Sequence, residues 1–320
     1  DGEIKILENV GDTHSITLSP SSSSSAAANR FLIPKPIIVG PNSSVVLRYD
    51  LDATTPRWRL FDRAAHLPRG WIDGLTLSNN GSDAINDIDI AAGECRGTRG
   101  ILDLVLTTGI TKQLDADWAA GTAAGGRYTT AIANTTYHVF LIGKADGTTD
   151  VFFYAGGVDP TSVLPTGYVD YRRIGSILRE SATIVPFVQD GEFFQRVTSV
   201  ADVAANTTGT SAVTRTLSVP VGINVLAQVV GGVRNLDAGT PAFLLLTDLA
   251  TTDATPGTSI SHIPAALTAA GGVREGFSSP FFVRTNTSAQ IRSRLGSYGG
   301  GNATLHISTF GWMDRRGRNA

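Results

Sequence analysis

The sequence predicts an all-β protein: a small N-terminal β module followed by β-sandwich or jelly-roll-like domains. Three observations carry that reading. Short runs rich in branched and aromatic residues alternate with Gly-, Pro- and Asn-rich joints along the chain. Only 17% of the residues are charged, while 35 of the 320 are glycine, a mixture suited to turns rather than long surface helices. No self-similarity at a fixed period is present, which argues against a solenoid.

Residues 1–64 form the first unit. In "HSITL", Ile16 and Leu18 share one face and Ser15 and Thr17 the other. "SSVVLRYD" and "RWRLF" are further strands by their branched and aromatic content. "PKP" and "GPNSS" between them are turn signals. The serine- and alanine-rich stretch 21–28 has apolar flanks on both sides, unlike a disordered linker. It is expected to fold as a loop with a short turn of helix or an edge segment. Its small side chains suit a close approach of chains, so Ser21, Ser23, Ala26, Asn29, Phe31 and Trp58 are possible subunit contacts.

A link at 62–70 leads to a middle β domain, 71–196. Its strands are expected at "WIDGLTL", "NDIDIAAG", "ILDLVL", "TTYHVFLI" and "TDVFFYA", with Asp146-Gly147 at a hairpin turn. "YRRIGSILRE" fits either period and is read as a strand with a glycine kink. The third unit, 197–320, is a β-sandwich domain. Its strands are "VTRTLSVP", "INVLAQVV", "AFLLLTD", "FFVRTN", "AQIRSRL" and "ATLHISTFGW".

Chemistry is sparse. Asp83, Asp87, Asp89 and Glu94 are close in sequence, but turn composition and alternation with isoleucine make them structural rather than paired catalytic carboxylates. "DGTTD", Asp146 to Asp150, carries oxygens without full EF-hand spacing. His14, His66, His138, His262 and His306 form no local zinc pattern. Cys95, the only cysteine, excludes an internal disulfide; Arg96 beside it would lower its pKa, although a lone cysteine is more often inert. No P-loop and no G-x-S-x-G elbow is present. No catalytic residue, cofactor or metal is expected. Trp118 and Trp312 are possible surface-recognition residues, Trp118 the more readily exposed. Net charge is −2, which predicts no nucleic-acid partner, and no run is apolar enough for membrane insertion. The strongest basic group, "DRRGR" at 314–318, reads as a solvated terminus rather than a polyanion contact.

The first unit resembles a module of tailed-phage fibre and tail-tip proteins. The resemblance rests on Ile16 and Leu18 ending a strand, Asn29 to Phe31 closing a small-residue stretch, Gly40-Pro41 at a turn, Tyr49-Asp50 ending a strand, and Trp58 between Arg57 and Arg59. It covers roughly residues 4–61. Much of 71–318 resembles phage structural proteins of unassigned activity, in stretches such as "IANTTYHVFLI" and "VRTNTSAQIRSRL". The resemblance implies a non-enzymatic tail fibre or receptor-binding protein that mediates attachment of a bacteriophage virion to its host. It implies a homotrimer, assembled in the host cytoplasm onto other tail proteins, with a bacterial surface glycan or protein as receptor and the 197–320 domain as the receptor-facing part. The alternatives are a structural adaptor, decoration or head-fibre protein and, less favoured, a tail-borne glycan hydrolase or esterase.

Overall fold

A computed structural model describes residues 2–11, 14–20, 23–26, 29–33, 36–50, 57–63, 67–206, 209–235, 241–265, 274–296 and 303–318. Regular structure among them is almost entirely strand, with a short 3-10 turn at Thr161–Val163. The all-β expectation holds.

The N-terminal module comprises β1 (Ile4–Asn9), β2 (Ile16–Leu18), β3 (Ile37–Val39), β4 (Ser43–Asp50) and β5 (Arg57–Arg63). An antiparallel sheet β1-β4-β5 packs with the β2–β3 ribbon around a small core of its own. Val45 and Leu47 alternate inward along β4 and meet Leu18, Ile37, Val39 and Trp58. Strand β1 is an addition to the sequence reading: Ile4 and Ile6 point outward to solvent and only Leu7 leans on the core.

The body begins with β6 (Ile72–Gly74), β7 (Leu77–Asn79), β8 (Asp87–Ile90), β9 (Gly93–Arg96), β10 (Asp103–Leu106) and β11 (Ile110–Asp117). It continues with β12 (Ala124–Arg127), β13 (Thr136–Lys144), β14 (Thr149–Tyr154), β15 (Tyr168–Glu180) and β16 (Thr183–Ile184). Eight of these form a sheet in the order β16-β15-β13-β14-β12-β11-β8-β7, and β10-β9-β6 form a smaller one. β13 is buried on both faces. Tyr137, Val139 and Leu141 face the main core, while Phe140 and Ile142 face a second, aromatic one. "YRRIGSILRE" lies within β15, and its pairing with β13 slips by one residue between Val139 and Phe140, leaving Ile174 as a bulge.

The chain then forms β17 (Phe187–Asp190), β18 (Phe193–Asn206), β19 (Val213–Thr216), β20 (Leu226–Asn235) and β21 (Ala242–Thr247). It ends with β22 (Ile263–Ala265), β23 (Arg274–Phe277), β24 (Phe281–Arg284), β25 (Gln290–Gly296) and β26 (Ala303–Met313). A six-stranded sheet, β17-β18-β26-β20-β23 with β24 also on β20, covers a four-stranded sheet, β19-β25-β21-β22. Val229, Leu305 and Ile307 of the first share a core with Leu244, Ile291 and Leu295 of the second.

The division expected at 196/197 falls inside β18. One continuous core runs from Leu75 to Trp312, so the middle and C-terminal regions pack as one body. The physical reason is β17 and β18: Phe187 and Phe194 carry the core across, and Phe194 stacks on Trp312 at the far end of the chain.

Candidate functional site

Three of the stretches that carry the resemblance meet in three dimensions. Trp58 donates its backbone N–H to the Arg30 carbonyl (3.1 Å) and accepts from the Leu32 N–H (2.8 Å). Phe31 forms a bridge with Trp58, and the Tyr49 ring lies 5.0 Å from the indole. "Asn-Arg-Phe", "Tyr-Asp" and "Arg-Trp" therefore build one corner of the module. The Lys5 ammonium caps the indole face at 4.7 Å. Trp58 is 8% exposed and sits in its own module's core, which corrects its assignment as a subunit contact; Phe31 is half-buried beside it. Ser23, Ala26 and Asn29 are exposed, and the stretch is tied down where the Asn29 N–H reaches the Ala26 carbonyl and Arg30 Nε the Ser25 carbonyl. Ser21 and His66 lie outside the described residues.

Trp118 belongs to an aromatic layer on the outer face of the eight-stranded sheet. It is half-buried, edge-on to Tyr168 at 5.5 Å, with Tyr128 and Tyr154 in the same cluster. Its indole N–H donates to the Val151 carbonyl (3.0 Å), so only the ring surface is left for a ligand. The adjacent loop is held from inside by Lys112, a buried cation that donates to the Ala119 and Gly121 carbonyls and pairs with Asp150 at 3.1 Å. Burial lowers the Lys112 pKa although Asp150 opposes it. Asp150 is thus neutralised, and Asp146 caps its own turn through the Thr148 N–H, so the "DGTTD" carboxylates do not converge. Among the described residues no group of three metal-ligating side chains is present.

Trp312 is fully buried on the inner face of the six-stranded sheet, parallel to Phe194 at 5.7 Å. Its assignment as a surface residue is corrected. β26 places it opposite Ala227, whose small side chain leaves room for the indole.

The largest departure from the sequence reading is at "DRRGR". Asp314 and Arg316 are buried, so this segment is not a solvated terminus. Arg173 grips Asp314 with both Nη atoms (2.5 and 2.6 Å) and donates to Ser176 Oγ (2.9 Å). Residues three apart on a regular strand face opposite ways. The bulge at Ile174 puts Arg173 and Ser176 on the same side. Arg316 donates to the carbonyls of Ile174 (2.7 Å), Gly74 (3.0 Å) and Leu75, and Arg172 to those of Arg316 (3.0 Å) and Gly70 (3.2 Å). Two buried guanidiniums thus latch the end of the chain to β6 and β15. Burial lowers the Arg316 pKa to about 10, with Asp314 opposing.

His138 completes this network: its Nδ1 lies 2.9 Å from Ser176 Oγ, which is 3.3 Å from Asp314 Oδ2. The three residue types are those of a hydrolase triad, but the order differs. A triad needs histidine between serine and carboxylate; here serine lies between the other two, fully buried and also held by Arg173. A methyl group at Gly222, where φ is +85°, would lie 2.8 Å from His138 Nε2, so the loop backbone closes over the ring. Cys95 is likewise sealed: burial raises its thiol to about 12, outweighing Arg172 and Arg316, which corrects the lowered pKa expected from Arg96.

Outside the latch lies a surface cavity of about 780 Å³, walled partly by Arg173, Arg284, Arg315 and Arg318. A second, of about 590 Å³, lies where Gly40-Pro41 of the module faces the hairpin at 144–149.

No protein-family model matches the chain, and no curated protein matches it. Among solved structures it is similar to a chain titled "Crystal structure of infectious bursal disease virus VP2 subviral particle", at 12% identity and a TM-score of 0.21, over 98% of this chain and 72% of that one.

Proposed function

We propose that the protein is a non-enzymatic virion component, a phage tail fibre or receptor-binding protein that attaches the particle to the host surface. The observation that supports it most is the convergence of Arg30-Phe31, Tyr49 and Trp58 into one corner of a separately cored N-terminal module. Those are among the residues on which the resemblance to tail modules rests. The body supports the reading through its build: stacked antiparallel sheets, a latched chain end and a polar, turn-rich surface suit a durable particle component. Its Ser–His–carboxylate contact is buried in the wrong order for nucleophilic catalysis. As a homotrimer it would gain avidity on a surface of repeated receptors.

The test is adsorption interference. Purified protein added to host cells should block adsorption of the virions that carry it, and static light scattering should give about three times the 33.6 kDa chain mass. Unimpeded adsorption at saturating protein would sink the attachment role.

A further inference from the structure

We propose that the cavity beside the latch binds an anionic saccharide through a carboxylate or phosphate group on the sugar. The cavity lies where β20, β24 and β26 end or begin, and its volume of about 780 Å³ falls in the range of small-ligand sites. Four arginines line it, Arg173, Arg284, Arg315 and Arg318, against two acids, Glu192 and Asp314, so the wall carries excess positive charge.

The four cations are not equivalent. Arg173 is committed to Asp314 and Ser176. Arg318 leans on Glu192 at 3.2 Å and Arg284 on Asp248 at 3.1 Å, each arginine side chain about half exposed. In each pair the carboxylate is the more buried partner, at 18% for Asp248 and 27% for Glu192, so each arginine keeps its pair and offers its solvent-facing N–H groups to a ligand. Arg315 is exposed, its carbonyl accepts from the Arg318 N–H (2.9 Å), and its guanidinium has no hydrogen-bond or ion-pair partner among the described residues. The side of the backbone from which it leaves is nevertheless set. Asp314 and Arg316 on either side are buried, and Arg316 takes a left-handed backbone at φ 50°, so Arg315 must project outward. "DRRGR" thus alternates: its inward members anchor the chain, and its outward arginines face the cavity.

The remaining wall suits a sugar rather than a bare ion. Asn224 and Thr287 are exposed and offer amide and hydroxyl groups, while Leu226 and Met313 supply apolar surface for the ring's C–H face. A nucleic acid would need a basic track longer than one cavity, and the chain's net charge of −2 opposes it. The inference deepens the attachment reading and takes from it only the saccharide nature of the ligand.

The experiment is saturation-transfer NMR on the full chain with glucuronic acid, glucose 6-phosphate and glucose, for wild type and an Arg315→Ala/Arg318→Ala double variant. Wild type should give saturable transfer to one or both anionic sugars and none to glucose. Transfer to glucuronic acid alone identifies a carboxylate ligand, and to the phosphate sugar alone a phosphorylated one. The double variant, with an unchanged melting temperature, should bind about tenfold or more weakly, and added salt should weaken wild type. Transfer to neither anionic sugar, equal transfer to glucose, or undiminished binding by the double variant overturns the inference. Whole-cell binding separates it from the reading beneath it. Equal cell binding by both proteins removes the cavity and leaves attachment standing; absence of wild-type binding removes attachment.

Discussion

Mild acid should destabilise the protein through His138. The imidazole is 1% exposed and hydrogen-bonded to Ser176. Burial, and then the Arg173 charge, lower its pKa from 6.5 to about 4, with Asp314 pulling the other way. In the unfolded chain the ring titrates near its ordinary value. Between pH 6.5 and about 4 the unfolded state therefore holds one more proton than the folded state. The stabilisation is present in full above 6.5 and is lost as pH falls towards 4. At 1.36 kcal/mol per unit, the shift corresponds to about 3 kcal/mol, a large share of a typical domain's stability. The assay is urea denaturation across that pH window for wild type and His138→Asn, which keeps a neutral polar group near Ser176. Wild type should lose about 1.4 kcal/mol more per pH unit than the variant. Parallel profiles for the two proteins would refute the reasoning.

Three further outcomes follow from the same contacts. Asp314→Ala leaves Arg173 buried without its counter-charge and should cost about 3–5 kcal/mol, read by denaturant titration at neutral pH. Trp312→Ala removes the stack on Phe194 and should cost about 3–5 kcal/mol, with loss of near-ultraviolet circular dichroism. Cys95 should resist thiol reagents in the native protein and react once denaturant is added, since burial keeps the thiol protonated to about pH 12.

The strands that were legible in sequence are those whose alternation matches their burial. "SSVVLRYD" is β4 to the residue, and "AQIRSRL" buries Ile291 and Leu295 with Arg292 and Arg294 partly exposed on the other face. The strands that were not legible break the pattern for stated reasons. β18 slips register three times against β26, so its side chains do not keep one period. β11 buries Lys112 at an inward position, where a lysine reads as surface. β12, "AGGR", reads as a turn. Its glycines are there for close approach: a methyl at Gly125 would run into the Asp117 carbonyl and one at Gly126 would lie 2.8 Å from the Phe153 ring.

The polar network was hidden for a different reason. Its members come from positions 138, 172–176 and 314–316, and only the pairing of β13 with β15 and the return of the chain beside them bring these together. A run of three arginines and an aspartate gives no local sign that two members are buried. The β-bulge at Ile174, which aligns Arg173 with Ser176, likewise left only a glycine at 175 as its trace. The N-terminal module was legible as a unit because its strands lie close in sequence and share one small core.

The most direct test of the central claim is immunogold labelling of virions with antibody raised against this chain. The account predicts label at the tail of intact particles. Particles without label, with the protein found only in the soluble lysate, would contradict it.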